Sequence, residues 1–201
     1  MIEDAARASL GRSAFSIALS GGRSPWKMLA ALDPDALAEP GTTIFQVDER
    51  VAPEGDDSRN LTHLRECLSY AASQRLLPMP VDDDDLGDAA ERYGNALPKT
   101  LDLVHLGLGS DGHTASLVPG DPVLEVDDRP VALTGGEYQG HRRMTLTYPA
   151  IATARRTLLL VTGAEKRDAL ARLRAGDPSI PAGRIEARNG LIIADEEAAG
   201  A

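Results

Sequence analysis

Apolar residues gather in short runs at Phe15 to Leu19, Thr43 to Val47, Leu101 to Leu106, Thr157 to Val161 and Leu191 to Ala194. Their length and near-continuous hydrophobicity predict strands buried on both faces. Between most of these runs the apolar positions recur at helical spacing instead, over Pro25 to Leu37, Asn60 to Ala71, Leu86 to Leu97 and Ala164 to Arg174. Residues three and four apart share one face of a helix, so each segment offers a stripe to bury. Strand and helix therefore alternate, which predicts an α/β fold: a three-layer α/β/α sandwich around a mostly parallel, Rossmann-like sheet. Arg143 to Thr147 reads as a further strand, and Asp82 to Asp85 as a solvated helix entry where acids meet the positive helix end. With 201 residues and no internal repeat, residues 1–201 read as a single domain.

Composition narrows the picture. Aromatics are 3% of the chain, with two Phe and one Trp, so the core must be built from Leu, Ile, Val and Ala. The formal net charge of −10 opposes binding to nucleic acid or to an anionic membrane surface, and an anionic ligand must find local positive charge. The one cysteine, Cys67, excludes an internal disulfide framework and reads as a small core residue on a helix. Met1 to Leu10 carries Glu3 and Asp4 without the basic flank and apolar core of a secretory signal, and no apolar run is long enough to span a bilayer. A soluble, cytoplasmic protein is expected, as a monomer or weak homo-oligomer.

The residues that follow the strands carry the chemistry. Ser20-Gly21-Gly22, Asp48-Glu49-Arg50, Gly107 to His113 and Thr162-Gly163 all end apolar runs. In a parallel sheet such ends share one edge, and ligands of open α/β sheets bind there. Ser24 is placed as the N-cap and Pro25 as the first helical residue after the Gly21-Gly22 turn, whose free N–H groups, with Arg23, suit an anion. Lys166 falls in the first turn of a helix, where a cation opposes the dipole unless an anion binds. Arg143 is a further anion contact or else a rim charge. Asp48 or Glu49 could bind hydroxyls or handle a proton, and Arg50 could pair with a phosphate; a local ion pair holding the loop is the alternative.

Gly107-Leu-Gly-Ser-Asp-Gly-His113 places an Asp and a His on a glycine-built loop. His113 is read at a helix start, where the dipole favours the neutral imidazole and Asp111 the charged one. Such a histidine could deprotonate water while backbone N–H groups of Gly107, Gly109 and Gly112 stabilise an oxyanion. The same glycines match G-x-G-x-x-G, but Asp111 brings a negative charge into the loop and Pro119 limits any helix after it, which argues against a dinucleotide. Ser110 and Ser116 are not placed as nucleophiles. No Cys/His cluster or H-E-x-x-H spacing exists, so no metal is expected. His63 reads as a surface residue and His105 as a satisfied structural one.

Taken in order, Ser20 to Pro25, Phe45 to Val51 with Arg59-Asn60, Leu106 to Gly120, Thr145 to Thr147, and Thr162-Gly163 with Lys166 resemble the 6-phosphogluconolactonase family, in the superfamily of glucosamine-6-phosphate isomerase/deaminase. The resemblance implies hydrolysis of 6-phospho-D-glucono-1,5-lactone to 6-phosphogluconate in the oxidative pentose phosphate pathway, without a cofactor. It implies His113 as base or proton shuttle and Asp111 as its partner, with Asp48 a further proton-handling candidate. Gly21, Gly22, Arg50, Lys166 and Arg143 are implied to engage a phosphorylated sugar lactone. The deaminase branch resembles Asp-Gly-His-x-Ala-x-x-Glu-Pro-Gly and Asp-Glu-Tyr, where this chain has Val118 in the Glu position and Arg50 in the Tyr position. A non-catalytic sugar-phosphate-binding protein is a third reading. The short stretch before Phe15 implies that an opening helix and an edge strand are missing or reduced.

Overall fold

All five apolar runs become parallel strands. The computed structural model describes residues 1–9, 14–186 and 189–200. Its strands are β1 (Phe15–Leu19), β2 (Thr42–Gln46), β3 (Asp48–Arg50), β4 (Leu76–Leu77), β5 (Leu103–Gly107), β6 (Val131–Leu133), β7 (Arg143–Leu146), β8 (Thr157–Val161) and β9 (Gly190–Ala194). The α-helices are α1 (Ile2–Ser9), α2 (Arg23–Ala30), α3 (Asn60–Cys67), α4 (Tyr70–Ser73), α5 (Leu86–Ala96), α6 (Tyr148–Ala152), α7 (Arg167–Arg174) and α8 (Glu196–Ala199), with 3-10 turns at Pro122–Glu125, Ala164–Lys166 and Pro181–Arg184.

Six strands form a parallel sheet in the order β4-β2-β1-β5-β8-β9. Strand alternation sends Ile17 and Leu19 to one face and Ala18 to the other. On the first face, Ile2, Ala5 and Ala6 of α1, Leu29 of α2 and Leu64 of α3 cover Ile17, Leu19, Ile44 and Leu103. On the second, Ala89, Ala90 and Tyr93 of α5 and Ile151 of α6 cover Phe45, Val104, Leu106 and Leu159. Each fully buried Leu or Ile in these layers stabilises the fold by about 1.5–3 kcal/mol. The layering is the α/β/α sandwich expected from the alternation.

A second, antiparallel sheet, β3-β7-β6, has no counterpart among the expected strands except β7. Its strands are three or four residues long, too short to show a period. Asp48-Glu49-Arg50 is therefore not a loop but a strand paired with Arg143–Thr145, and this pairing sets Arg50 opposite Arg143.

Several local expectations are corrected. Helix α2 starts at Arg23 with Gly22 as its N-cap, at φ 121°, so Ser24 caps nothing and Pro25 is the third helical residue. It ends at Ala30 instead of Leu37. The segment from Asn60 to Ala71 breaks at Leu68, which is extended, and restarts at Ser69, whose hydroxyl accepts from Ala72 N. The opening helix is present as α1, with Ile2, Ala5 and Ala6 buried. Near the end of the chain Asp195 caps α8 and also accepts from Gly163 N, and Ala198 is buried. Leu10 and Ala201 lie outside the described residues. Asp85 caps α5 as an acidic helix entry should. No helix of the described residues is long and apolar enough to cross a membrane.

His105 is not satisfied. It lies in β5 opposite Leu158, fully buried, and neither ring nitrogen has a hydrogen-bond partner. The flanking ladders occupy the nearby backbone groups, and desolvation pushes its pKa down to about 4. Because the folded state holds this imidazole neutral, its stability contribution is intact above about pH 6.5 and is lost as pH falls toward 4. Urea unfolding at pH 5 should show about 2 kcal/mol less stability from this group than at pH 7.5, and His105→Leu should remove that difference.

Candidate active site

The chain leaves β1 toward β2 and β4 on one side, then returns through β5 to β8 and β9 on the other. The order reverses between β1 and β5, so their carboxyl ends diverge and open a crevice. A pocket lies there, lined by Ser20, Gly21, Asp48, Arg50, Asn60, Gly107, Leu108, His113, Ala115 and Arg143. Strand ends from both sheets thus meet in one cavity.

His113 is set by the loop after β5. Asp111 Oδ1 accepts from His113 N at 3.1 Å and lies 2.6 Å from His113 Nδ1. This local turn, not a helix start, holds the histidine: no helix follows until the 3-10 turn at Pro122. The expected dipole effect is thereby withdrawn, as is the support a dinucleotide site would need. The hydrogen bond from His113, opposed by partial burial, holds the Asp111 carboxyl well below the usual carboxylate range. An ionised carboxylate only accepts, so Nδ1 carries a proton, and in the neutral imidazole the lone pair is then on Nε2.

The loop glycines act differently from the expectation. Gly109 N donates to His113 O at 2.8 Å and Gly112 N to Gly109 O at 3.0 Å, so neither amide is left for an oxyanion. A Cβ on Gly109 would overlap His113 Nδ1 and Asp111 Oδ1, and one on Gly112, at φ 84°, would overlap Ile180. These glycines permit close packing around the dyad. At Gly107 the nearest atom to such a Cβ is Ser20 Oγ at 4.0 Å.

The opposite wall is charged. Arg143 is 3% exposed, which removes the rim reading, and it donates to Tyr138 O and Gln139 Oε1. Arg50 donates through Nη1 to Ser58 O and Asn60 Oδ1, while its buried Nε has no partner. Burial first, then the Arg50 charge, push the Arg143 guanidinium below its usual value, with Asp48 opposing. Two like charges held together in a cavity wall are relieved by an anion. Asp48 is buried and accepts from Ser116 Oγ at 2.7 Å and Asn60 Nδ2 at 3.3 Å, with Arg143 Nη1 at 4.0 Å.

Glu49, read as a hydroxyl or proton handler, points away from the cavity chemistry. It accepts from Asn60 N, Leu61 N, Arg50 N and Gln46 Nε2 and faces buried Arg59 at 3.7 Å. It caps α3 in place of Arg59, whose side chain makes no cap. Gly22, Arg23, Ser24 and Lys166 do not line the pocket. Ser24 touches the Thr162 hydroxyl, which sets the first turn of α2 against the end of β8. Five pocket or dyad residues went without a role from sequence: Ser20, Asn60, Leu108, Ala115 and Tyr138. Arg59-Asn60 stood within the family motif, but Tyr138 carries no local signal. Among the described residues no group of three or more His, Cys, Asp or Glu could hold a metal ion.

Comparison with known proteins bears on this geometry. The family described as glucosamine-6-phosphate isomerases/6-phosphogluconolactonase matches residues 1–194. The chain belongs to that family. A 6-phosphogluconolactonase of Nostoc sp. is 35% identical over 203 residues, covering 93% of this chain and 84% of that protein. The structure of a 6-phosphogluconolactonase from Trypanosoma cruzi has a TM-score of 0.84 at 27% identity, over 99% of this chain and 89% of the other. A monomeric glucosamine-6-phosphate deaminase shares the fold, with a TM-score of 0.81 at 20% identity over 99% and 94% of the two chains. Fold alone does not separate chemistries within the family; side chains in the crevice must.

The loop packing makes a graded forecast. Gly112→Ala, which meets both a positive φ and Ile180, should cost about 1–3 kcal/mol, whereas Gly107→Ala should stay within about 0.5 kcal/mol of wild type in urea unfolding.

Proposed function

We propose that this protein is a 6-phosphogluconolactonase, hydrolysing 6-phospho-D-glucono-1,5-lactone to 6-phosphogluconate in the oxidative pentose phosphate pathway. One observation carries the reading: a single crevice joins a histidine with a free Nε2 to a wall bearing Arg50 and Arg143. A phosphorylated lactone has the matching ends, an anion and a carbonyl open to water.

Nε2 of His113 takes a proton from water as the oxygen attacks the lactone carbonyl. Asp111 stabilises the imidazolium that forms. The tetrahedral oxyanion needs donors, and the amide of Ala115 supplies one: it borders the pocket at φ 52° and has no hydrogen bond among the described residues. When the intermediate collapses, the ring C–O bond breaks and the imidazolium returns its proton to the departing ring oxygen. Arg50 and Arg143 hold the phosphate with the Gly21 backbone, and Gly22, Arg23, Ser24 and Lys166 support it from the rim. Asp48 keeps Arg143 in place as its buried counter-charge. No step calls for a cofactor, and the reaction belongs to a soluble, cytoplasmic enzyme.

Deamination of glucosamine 6-phosphate is the rival. Val118, at the position where that branch resembles a Glu, is buried and apolar, which supports the lactonase.

Hydrolysis of freshly generated lactone, corrected for spontaneous opening, tests the assignment, with deamination of glucosamine 6-phosphate assayed in parallel. His113→Ala should lower kcat by about 10²–10⁴-fold, and near-normal turnover in that variant would sink the mechanism. Lys166→Ala should raise KM with little change in kcat. Gly109→Ala, which displaces the dyad without removing it, should reproduce most of the His113→Ala loss.

A further inference from the structure

We infer that Tyr138 is a positioning residue that fixes the Asp111 carboxylate against His113 and ties this dyad to Arg143. The inference rests on the lactonase reading for its kinetic test, but its geometry stands apart from it. Tyr138 lies in the connection between β6 and β7, on a turn where Tyr138 N donates to His141 O at 2.9 Å and Asp121 accepts from Gly135 N and Gly136 N. Its hydroxyl donates to Asp111 Oδ2 at 3.0 Å and lies 3.3 Å from His113 Nδ1. Its ring meets the imidazole edge-on, with centroids 5.2 Å apart at 66°.

The proton count assigns the role. Asp111 Oδ1 serves His113 N and Nδ1, and among the described residues Tyr138 is the sole donor to Oδ2. With Nδ1–H committed to Asp111, the phenol must give its proton to the carboxylate and not to the ring. Burial, then the bond to Asp111, pushes the phenol up to about 12, so it remains a donor at any working pH. A carboxylate bonded through one oxygen can turn about its side-chain torsion; bonded through both, it presents Oδ1 to Nδ1 in one plane and keeps Nε2 pointed at the crevice.

Tyr138 also faces the other wall. Its carbonyl accepts from Arg143 Nε at 3.3 Å and Nη2 at 3.2 Å, and the Arg143 guanidinium lies 5.0 Å from its ring centroid. One residue thereby sets the separation between base and anion site, the quantity that decides whether a bound carbonyl meets the attacking water.

Tyr138→Phe keeps the ring contacts and removes only the hydroxyl. It should lower kcat about tenfold with KM within about twofold and an unchanged melting temperature. In an Asp111→Asn background the same change should add little, because the hydroxyl acts through that carboxylate. In the resting protein, the downfield proton resonance of His113 Nδ1–H, assigned by its absence in His113→Ala, should be present in wild type and broadened or lost in Tyr138→Phe. Wild-type kcat in Tyr138→Phe, or a loss that multiplies with Asp111→Asn, would overturn the inference while leaving the lactonase reading intact. A folded wild type inactive on the lactone would remove that reading, and the Nδ1–H resonance would then decide the role of Tyr138 alone: unchanged in Tyr138→Phe, it refutes the positioning. If Tyr138→Phe fails to fold, a slowly exchanging phenolic proton on wild-type Tyr138 supports the positioning, and its rapid exchange refutes it.

Discussion

The buried carboxylate of Glu49 is the joint on which the site depends. It is fully enclosed, yet four donors converge on it: two amides of the first turn of α3, its neighbour's amide and the Gln46 side chain. An anion at a helix N-terminus meets the positive end of the dipole and the orphan amides together. Removing it would leave these donors unpaired in the interior and take from buried Arg59 the nearer of its two carboxylates, the costly case for buried polar groups. By fixing α3 against β3, Glu49 also fixes Asn60, and Asn60 in turn holds Asp48 and Arg50 on the cavity wall. Gly21 completes the arrangement, since a Cβ there would overlap the Asn60 amide.

The second sheet has a functional reason of its own. A parallel sheet alone brings the ends of β1 and β5 together, which supplies glycine backbone and the dyad but little positive charge. Pairing β3 with β7 carries Arg50 and Arg143 to the same crevice from distant parts of the chain, in register with one another. Their mutual repulsion is tolerated because Asp48 lies between two hydrogen-bond donors and within 4.0 Å of Arg143. A protein of net charge −10 thus concentrates cationic character at one place, which is how an acidic chain receives an anionic ligand.

The fold was legible because burial on both faces of a parallel strand leaves a run of apolar residues, and β1 and β8 follow their runs to the residue. The dyad was legible too, since Asp111 and His113 are two residues apart and their contact is local. Helix ends were less so: Ser24 looks like a cap, but Gly22 at φ 121° turns the chain a residue before Arg23 and makes the helix start there. His105 looked satisfied because nothing in a strand sequence tells which side-chain partners the neighbouring layers provide.

By itself the sequence determined the α/β order, the strand ends that carry chemistry and the histidine–aspartate pair, because each depends on residues close together in the chain. The tertiary structure alone decided that Glu49 caps α3 and does not line the cavity, that the Gly109 and Gly112 amides are spent within their loop, and that Tyr138 reaches Asp111 across 27 positions. Those outcomes turn on which donors and acceptors packing brings within about 3 Å, and no periodicity or composition encodes such contacts between distant segments.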